Sequence, residues 1–306
     1  MAAVTVVITS YNQGPLIREA VESALTQTVR PQRIIIVDDG SDDAASIDAL
    51  SAILDDCRHG AKIGRAAAGG VAVDLIGQPN AGPSAARNRG ISAAETPFVV
   101  VLDGDDRLLP EFIERTLPLL EGDGAMVAAS GWLRTFGVLD SVVRPSGGGA
   151  SAFVARNCCP ATCLIRRSAW ERCGGYDESM RSGFEDWDFF LSMLESAGGA
   201  DGADGVDGAH IGIVPEPLIA YRTAPVSSNV TSMAKRLDLM RFLIAKHHGL
   251  YAGHLADAVL GVEAISMRRL AMWESLMRGD AEASKAFMAH PTYGDGGMAA
   301  AVRLRS

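Results

Sequence analysis

The sequence predicts an α/β fold in which a mostly parallel sheet is flanked by helices, with a C-terminal helical extension. Two observations lead to this prediction. In the first half of the chain, short β-branched apolar runs alternate with helix patterns. From about residue 231, apolar residues recur at helical spacing without strand-like runs between them.

Four apolar runs have the length and composition of strands that are buried on both faces. They cover residues 4–8, 33–37, 71–76 and 98–102. Helix patterns cover 16–25 and 83–94, and Pro83 is suited to the first helical position of the second. Strands that alternate with helices pair in parallel, and such sheets bind ligands at the carboxyl ends of the strands. The residues that follow the strands are therefore the predicted site.

The composition limits the classes of function. The chain has 306 residues and a formal net charge of −9, and 48% of its residues are hydrophobic. A protein that wraps nucleic acid needs a basic surface, so nucleic acid is not an expected partner. Neither a signal-type segment nor an apolar run of membrane-spanning length is present, and the five cysteines are an odd number. We therefore expect a cytoplasmic protein with reduced thiols.

Polar and acidic residues gather after the predicted strands. The first strand is followed by Thr9, Tyr11 and Asn12, and the second by Asp38 and Asp39. Asn80 and Arg87 follow the third strand, and Asp103, Asp105 and Asp106 follow the fourth. If the strands are parallel, these side chains meet at one edge of the sheet. Hydroxyl, amide and aromatic groups there could hold a base and a ribose, and the acids could hold a cation.

The acidic cluster after the fourth strand predicts a divalent metal site. Three carboxylates within residues 103–106 repel one another unless a cation or hydrogen bonds compensate. Mn²⁺ and Mg²⁺ favour oxygen ligands, typically one or two carboxylates together with substrate phosphates. The alternative is a solvated acidic turn that compensates the dipole of a helix beginning near Pro110.

A second acidic segment, Glu185-Asp186-Trp187-Asp188, has the composition of a helix start. A carboxylate held beside apolar Trp187 and Phe184 has a raised proton affinity, which suits a general base. The alternative is compensation of the helix dipole in the first turn.

Taken in order, the segments TSYN, VDDGSDD, NAGPSAARN, LDGDD, GGYDE and EDWD resemble family 2 glycosyltransferases with the GT-A fold. The resemblance extends over residues 4–222. It implies an inverting enzyme with a nucleotide-sugar donor (UDP-, GDP- or dTDP-linked) and Mn²⁺ or Mg²⁺. It also implies an acceptor that is a glycan, a lipid-linked sugar or a small glycoside.

The resemblance assigns roles to individual residues. For the donor nucleotide they are Thr9, Tyr11, Asn12, Asp39, Asn80, Arg87 and Asp103. Asp103 and Asp105 match the DxD motif, and the implied metal ligands are Asp105, Asp103 and Asp106. Asp186 corresponds to the catalytic base, with Glu185 and Trp187 on the acceptor side.

The sequence also departs from the family pattern. Many relatives have a His shortly after a Tyr-Arg pair, whereas Tyr221-Arg222 is followed here by Thr223. Whether the protein supplies a third metal ligand is therefore open. The QxxRW motif of processive synthases is absent, which favours transfer of one sugar per encounter.

The expected organisation is a catalytic domain at 1–230 and a C-terminal helical extension at 231–306. The catalytic domain divides into a nucleotide-binding half at about 1–110 and an acceptor half at 111–230. The tail after Gly279 is expected to be loosely ordered, and the Gly- and Asp-rich stretch 198–208 is expected to form a flexible loop.

The C-terminal helix patterns bear on two possible partners, which are another subunit and a membrane surface. Their apolar spacing predicts packing against the catalytic domain or another subunit, and a homodimer is slightly favoured over a monomer. Their cations, including Lys235, Arg236, Arg241 and Lys246, are expected on a solvated face. Peripheral contact with anionic lipids at the inner face of a membrane is the alternative.

Two other functions compete with glycosyl transfer. A nucleotidyltransferase also joins acidic metal ligands to an α/β sheet, but it usually has a basic Gly-rich loop after the first strand. Residues 11–14 contain one Gly and no Lys. A non-catalytic module that binds sugars or nucleotides is the third reading, and the presence of Asp186 together with the DxD acids argues against it.

Overall fold

A computed structural model describes residues 2–59, 62–63, 66–67, 70–197 and 208–305. The predicted flexible loop at 198–208 lies outside the described residues except for Gly208. The strands are β1 (Ala2–Ser10), β2 (Pro31–Asp38), β3 (Lys62–Ile63), β4 (Ala66–Ala67), β5 (Ala72–Gly77), β6 (Phe98–Asp103), β7 (Arg107–Leu108), β8 (Met126–Gly137), β9 (Val142–Val143), β10 (Cys163–Arg166) and β11 (His210–Thr223).

The helices of the first 200 residues are α1 (Leu16–Leu25), α2 (Ala44–Arg58), α3 (Pro83–Ser92), α4 (Phe112–Gly122), α5 (Ala150–Phe153), α6 (Arg167–Cys173) and α7 (Glu185–Ala197). The later helices are α8 (Ser228–Ser232), α9 (Arg236–Lys246), α10 (His248–Gly253), α11 (Leu255–Met277), α12 (Ala281–Ala289) and α13 (Gly297–Arg305). A single 3-10 turn, Met233–Lys235, joins α8 to α9.

The predicted α/β sheet is present, and its first half is parallel. The main sheet has the order β5-β2-β1-β6-β10-β8-β11-β7, with β9 beside β8. The four predicted strands are β1, β2, β5 and β6, and all pair in parallel. Thr9 lies opposite Asp103, and Ser10 lies opposite Asp38. The polar residues that follow these strands therefore meet at one edge, as the sequence predicts.

The second half of the sheet is mixed. β10 runs antiparallel to both β6 and β8, whereas β11 runs parallel to β8. Apolar clusters cover both faces of the sheet. One packs α1 and α4 against it through Ile17 and Phe112, and the other packs α7 through Phe189. This burial fixes the position of α7, whose first turn carries the predicted catalytic acid.

A buried ionic network connects α7 to the C-terminal helices. Asp188 is fully buried, and its carboxylate contacts Lys246 Nζ at 2.8 Å and His247 Nε2 at 2.9 Å. Lys246 also pairs with Asp177, and His247 also contacts Glu195. Lys246 is exposed, as the expected solvated basic face requires, but its Nζ also compensates a buried carboxylate that would be costly without a partner.

The tail after Gly279 is not loosely ordered, because it forms α12 and α13. Ala301 and Val302 of α13 are buried against Leu139, and Met298 joins the main core. The expectation failed because these contacts join positions far apart in the sequence. Small apolar residues near the end of a chain do not reveal their partner.

Most apolar side chains of helix α11 are exposed to solvent. Only Ile265 is buried in it, whereas Leu255, Val259 and Trp273 are 64%, 58% and 57% exposed. α11 contacts α5 and α12, but these contacts bury only a small part of its apolar surface, so the homodimer stays a prediction. Among the described residues, no helix combines the length and hydropathy needed to cross a bilayer.

The network at Asp188 predicts a pH-dependent stability. Two carboxylates raise the pKa of His247 above its ordinary 6.5, against the opposing effect of burial. The stabilisation from the protonated ring is complete below about pH 6.5 and is lost as pH rises through the higher folded pKa. We expect His247→Gln to lower the free energy of unfolding by about 1–3 kcal/mol at pH 6, and by less at pH 9.

Thermal unfolding of the variant at both pH values measures this difference. The exposed neighbour provides a matched control, His248→Gln, which should leave the melting temperature unchanged. An equal loss at pH 6 and pH 9 would show that the ring contributes by packing alone.

Candidate active site

A cleft of about 690 Å³ opens at the carboxyl ends of β1, β2 and β6. A smaller cavity of about 150 Å³ adjoins it and contains Asp186. The residues that line both are Arg87, Asp103, Asp106, Glu185, Tyr221 and Asn229. A molecule in the cleft and a molecule in the cavity would therefore share a wall of charged side chains.

Arg87 joins the two spaces. It lies on α3, and only 2% of its surface is exposed. Its Nη2 donates to Asp103 Oδ1 at 2.9 Å, and its Nη1 donates to Glu185 Oε1 at 2.9 Å. Burial alone would lower the pKa of Arg87, but the charges of Asp103 and Glu185 raise it by more. The pKa therefore lies above its ordinary value, and the guanidinium stays charged. It thereby sets the position of the α7 start relative to the end of β6.

Asp39 orders the segment that follows β5. It is 4% exposed, and its carboxylate accepts hydrogen bonds from Gln78 Nε2 and from the backbone N–H groups of Ala81 and Gly82, each at 2.8 Å. Gly40 permits this approach, because a Cβ there would lie 2.7 Å from the backbone nitrogen of Asn80. A carboxylate has about four acceptor sites, so one site of Asp39 remains for a ligand in the cleft.

The other predicted donor residues differ in position. Tyr11, which is 46% exposed, and Asn80 both line the cleft. Thr9 also lines it and donates to Asp103 Oδ1 at 3.3 Å. Asn12 does not line it, because its side chain pairs with Asp42 through an Nδ2–Oδ1 hydrogen bond of 2.8 Å. Its place is therefore in the contact between two loops, where it supports the wall of the cleft.

Among the acids at 103–106, Asp103 pairs with Arg87, whereas burial and mutual repulsion act on Asp105 and Asp106. Burial and the charge of Asp103 raise the pKa of Asp105 to about 6. Burial and its two acidic neighbours raise the pKa of Asp106 strongly, although its Oδ1 accepts the Arg222 N–H at 2.7 Å. Groups that lose charge in this way are stabilised as carboxylates when a cation is nearby.

The donor set fits a divalent cation that substrate oxygens help to hold. Oxygen ligands from one or two carboxylates are what Mg²⁺ and Mn²⁺ typically use beside phosphates. Among the described residues, no three His, Cys, Asp or Glu side chains converge on one point. Thr223 follows the Tyr221-Arg222 pair, and its hydroxyl donates to Phe136 O at 2.7 Å and accepts from the Leu139 N–H at 2.9 Å. That position therefore supplies no further ligand.

Asp186 lies at the wall of the small cavity with both oxygens held. The Trp187 N–H donates to its Oδ1, and Asn157 Nδ2 donates to its Oδ2, each at 2.8 Å. Burial and the neighbouring charge of Glu185 raise the pKa of Asp186 to about 7, against the opposing effects of Arg87 and these hydrogen bonds. A carboxylate with this proton affinity is suited to accept a proton near neutral pH.

Several residues at the site were not singled out from the sequence. Asn157 holds Asp186 from 29 positions away, and no local pattern indicates it. Arg222 supports the acidic turn through its backbone N–H and through its Nε, which donates to Asp105 O at 3.1 Å. The Tyr221-Arg222 pair at the end of β11 is the sequence feature that could have indicated Arg222 as a site residue. Arg236 and Tyr293 also line the small cavity, so residues beyond 230 take part in the site.

The curated relatives match only part of their length. The succinoglycan biosynthesis protein ExoO of Rhizobium meliloti (strain 1021) is 36% identical over 126 residues, or 41% of this chain and 32% of ExoO. The uncharacterized glycosyltransferase YwdF of Bacillus subtilis (strain 168) is 26% identical over 61% of this chain and 66% of YwdF. The chain thus spans about a third of ExoO.

A solved structure has the same fold. The S. aureus protein TarS (residues 1–349), in complex with UDP-GlcNAc, covers 83% of this chain and 72% of its own, with a TM-score of 0.57 and 15% identity. TarS in complex with UDP gives a TM-score of 0.55. The profile described as "Glycosyl transferase family 2" matches residues 5–174. Because this match covers more than half of the chain and includes the ends of β1, β2 and β6, the protein belongs to glycosyl transferase family 2.

Proposed function

We propose that the protein is an inverting, metal-dependent glycosyltransferase that moves a sugar from a UDP-sugar to an acceptor hydroxyl. The observation that carries this proposal is the position of Asp186, a carboxylate with a pKa of about 7 at the wall of a cavity that adjoins the cleft. UDP is preferred over GDP and dTDP because TarS has been solved with UDP and with UDP-GlcNAc.

The large cleft is the proposed donor site. Its volume of about 690 Å³ lies within the range of small-molecule sites, which is roughly 300–1,000 Å³. Tyr11 borders the base at the cleft mouth, and Asp39 holds the segment at 78–82 against the nucleoside. The anomeric carbon then lies towards the wall formed by Arg87 and Glu185, where the cavity begins.

The metal site uses the acidic turn. Asp105 and Asp103 or Asp106 would hold Mn²⁺ or Mg²⁺, which neutralises charge on the departing diphosphate. Arg87 keeps Asp103 in place, and the Arg222 N–H does the same for Asp106. The chain thus holds the carboxylates before the donor arrives.

The small cavity is the proposed acceptor site. Asp186 accepts the proton of the acceptor hydroxyl while that oxygen attacks the anomeric carbon. The hydrogen bonds from Asn157 and the Trp187 N–H fix the carboxylate, so little reorganisation is needed. A single displacement inverts the anomeric centre, so an α-linked donor gives a β-linked product.

The first prediction tests the base. Asp186→Asn keeps the shape of the side chain and removes its basicity, so transfer should fall by about 10²- to 10⁴-fold while UDP binding is retained. Rates with the preferred acceptor and calorimetry with UDP measure the two effects. The exposed Asp140→Asn variant is the matched control and should keep full activity. Wild-type transfer by Asp186→Asn, or a product with retained configuration, would contradict the mechanism.

The second prediction concerns pH. The base must be ionised, so kcat/KM should fall as pH drops through about 7, where a carboxyl of ordinary pKa would still be ionised.

Asn157→Ala removes a hydrogen bond that lowers the pKa of Asp186, so the acidic limb of the profile should move to higher pH. Activity should recover at alkaline pH. A uniform loss across the profile would instead indicate structural damage.

The third prediction concerns the metal. Asp105→Ala should lower transfer on the order of a thousandfold while the protein stays folded, because diphosphate departure loses its compensating charge. EDTA should have a similar effect on the wild-type protein, reversed by Mn²⁺ or Mg²⁺. Asp48→Ala, on the exposed face of α2, is the control. Full activity in EDTA would overturn the metal assignment.

A further inference from the structure

A second opening, of about 490 Å³, lies between α11, α13 and the segment at 292–297. Its walls carry four arginines, which are Arg236, Arg268, Arg269 and Arg303. We call this opening the arginine cleft. The chain as a whole has a formal charge of −9. Four cations around one opening are therefore a local reversal of the overall charge.

The positive charge of the arginine cleft is not balanced by its own walls. Within the part of the chain that the structure describes, the one acid that lines it is Asp295. Its carboxylate accepts hydrogen bonds from Thr292 Oγ1 at 2.7 Å and from the Gly297 N–H at 2.9 Å. Arg269 donates to the backbone oxygen of Asp295. Among the described residues, no carboxylate lies within 4.0 Å of any of the four guanidinium groups.

Arg236 connects the arginine cleft to the cavity of Asp186. It lines both spaces, together with Met233, Thr292 and Gly296. Its guanidinium lies 5.4 Å from the ring of Phe184 and 5.8 Å from that of Trp187, the residues on either side of Glu185-Asp186. Burial, and to a smaller extent the neighbouring Arg269, lower the pKa of Arg236 against the opposing charge of Asp295.

The arginine cleft also has an apolar wall. Met233, Ile265, Met272 and Phe287 line it beside the guanidinium groups. Planar guanidinium groups bind phosphate oxygens through paired hydrogen bonds, and the apolar wall suits a hydrocarbon group attached to such a phosphate.

We propose that the arginine cleft binds a phosphate ester on the acceptor, with the phosphate at the arginines and its hydrocarbon group along the apolar wall. The acceptor hydroxyl then reaches Asp186 past Arg236. This inference rests on the proposed function, because it names the acceptor class for the same cavity. It also accounts for the position of the C-terminal helices at the mouth of that cavity.

Calorimetry with three probes tests the proposal on the full chain, with the donor cleft first saturated with UDP and Mg²⁺. Octyl phosphate combines both features, octyl β-glucoside lacks the charge, and inorganic phosphate lacks the hydrocarbon group. Octyl phosphate should bind at least about tenfold more tightly than either of the others. Equal affinity for octyl phosphate and one of the other probes would overturn the assignment.

A pair of exposed arginines supplies the variant. Arg268→Gln/Arg303→Gln should weaken octyl phosphate binding by about tenfold and raise KM for a phosphate-bearing acceptor with little change in kcat. The control Arg278→Gln/Arg305→Gln removes the same charge from the residue after α11 and from α13, outside the arginine cleft. Unchanged octyl phosphate affinity in the first variant would refute the site. Failure of UDP to bind the wild-type protein would instead refute the proposed function.

Discussion

The buried guanidinium of Arg87 is the interaction on which the arrangement of the site depends. It holds Asp103 at the end of β6 and Glu185 at the start of α7, a strand and a helix that are far apart in the sequence. Without a cation between them, these acids would repel each other in a space with little water. The end of β6 and the start of α7 are therefore held together by this one side chain.

The same electrostatic constraint separates two kinds of carboxylate. Asp39 and Asp103 accept hydrogen bonds from fixed donors and shape the walls of the cleft. Asp105 and Asp186 have raised pKa values because burial and neighbouring charge outweigh their partners. The first kind is held in place by its partners, and the second kind gains most from a nearby cation or a proton. Local sequence does not separate them, because all four are aspartates that follow or begin regular elements.

The C-terminal residues have a larger part in the site than their distance from the family match suggests. Packing of α9 on α7 through Asp188 and Lys246 brings Arg236 over the rings that flank the proposed base. The segment before α13 then closes the cavity through Tyr293, whose hydroxyl donates to Cys159 O at 3.1 Å.

The sequence by itself determined the parallel half of the fold and the position of its polar edge. β-Branched runs that alternate with helix patterns are a local signal, and strand direction then places Thr9, Asp39 and Asp103 together. The motifs also identified Asp186 as the acid of interest. Only the tertiary structure decided what these residues touch. Asn157 reaches Asp186 across 29 positions, and Arg87 reaches Glu185 across 98.

The tertiary structure also determined which surfaces the residues beyond 230 pack against. Their helical spacing was visible, but the partner of each face was not. Lys246 became the partner of a buried acid, and the tail that was expected to be loose became helical. The physical reason is that hydrophobic periodicity reports which side of a helix avoids water, whereas the identity of the covering surface depends on contacts between distant parts of the chain.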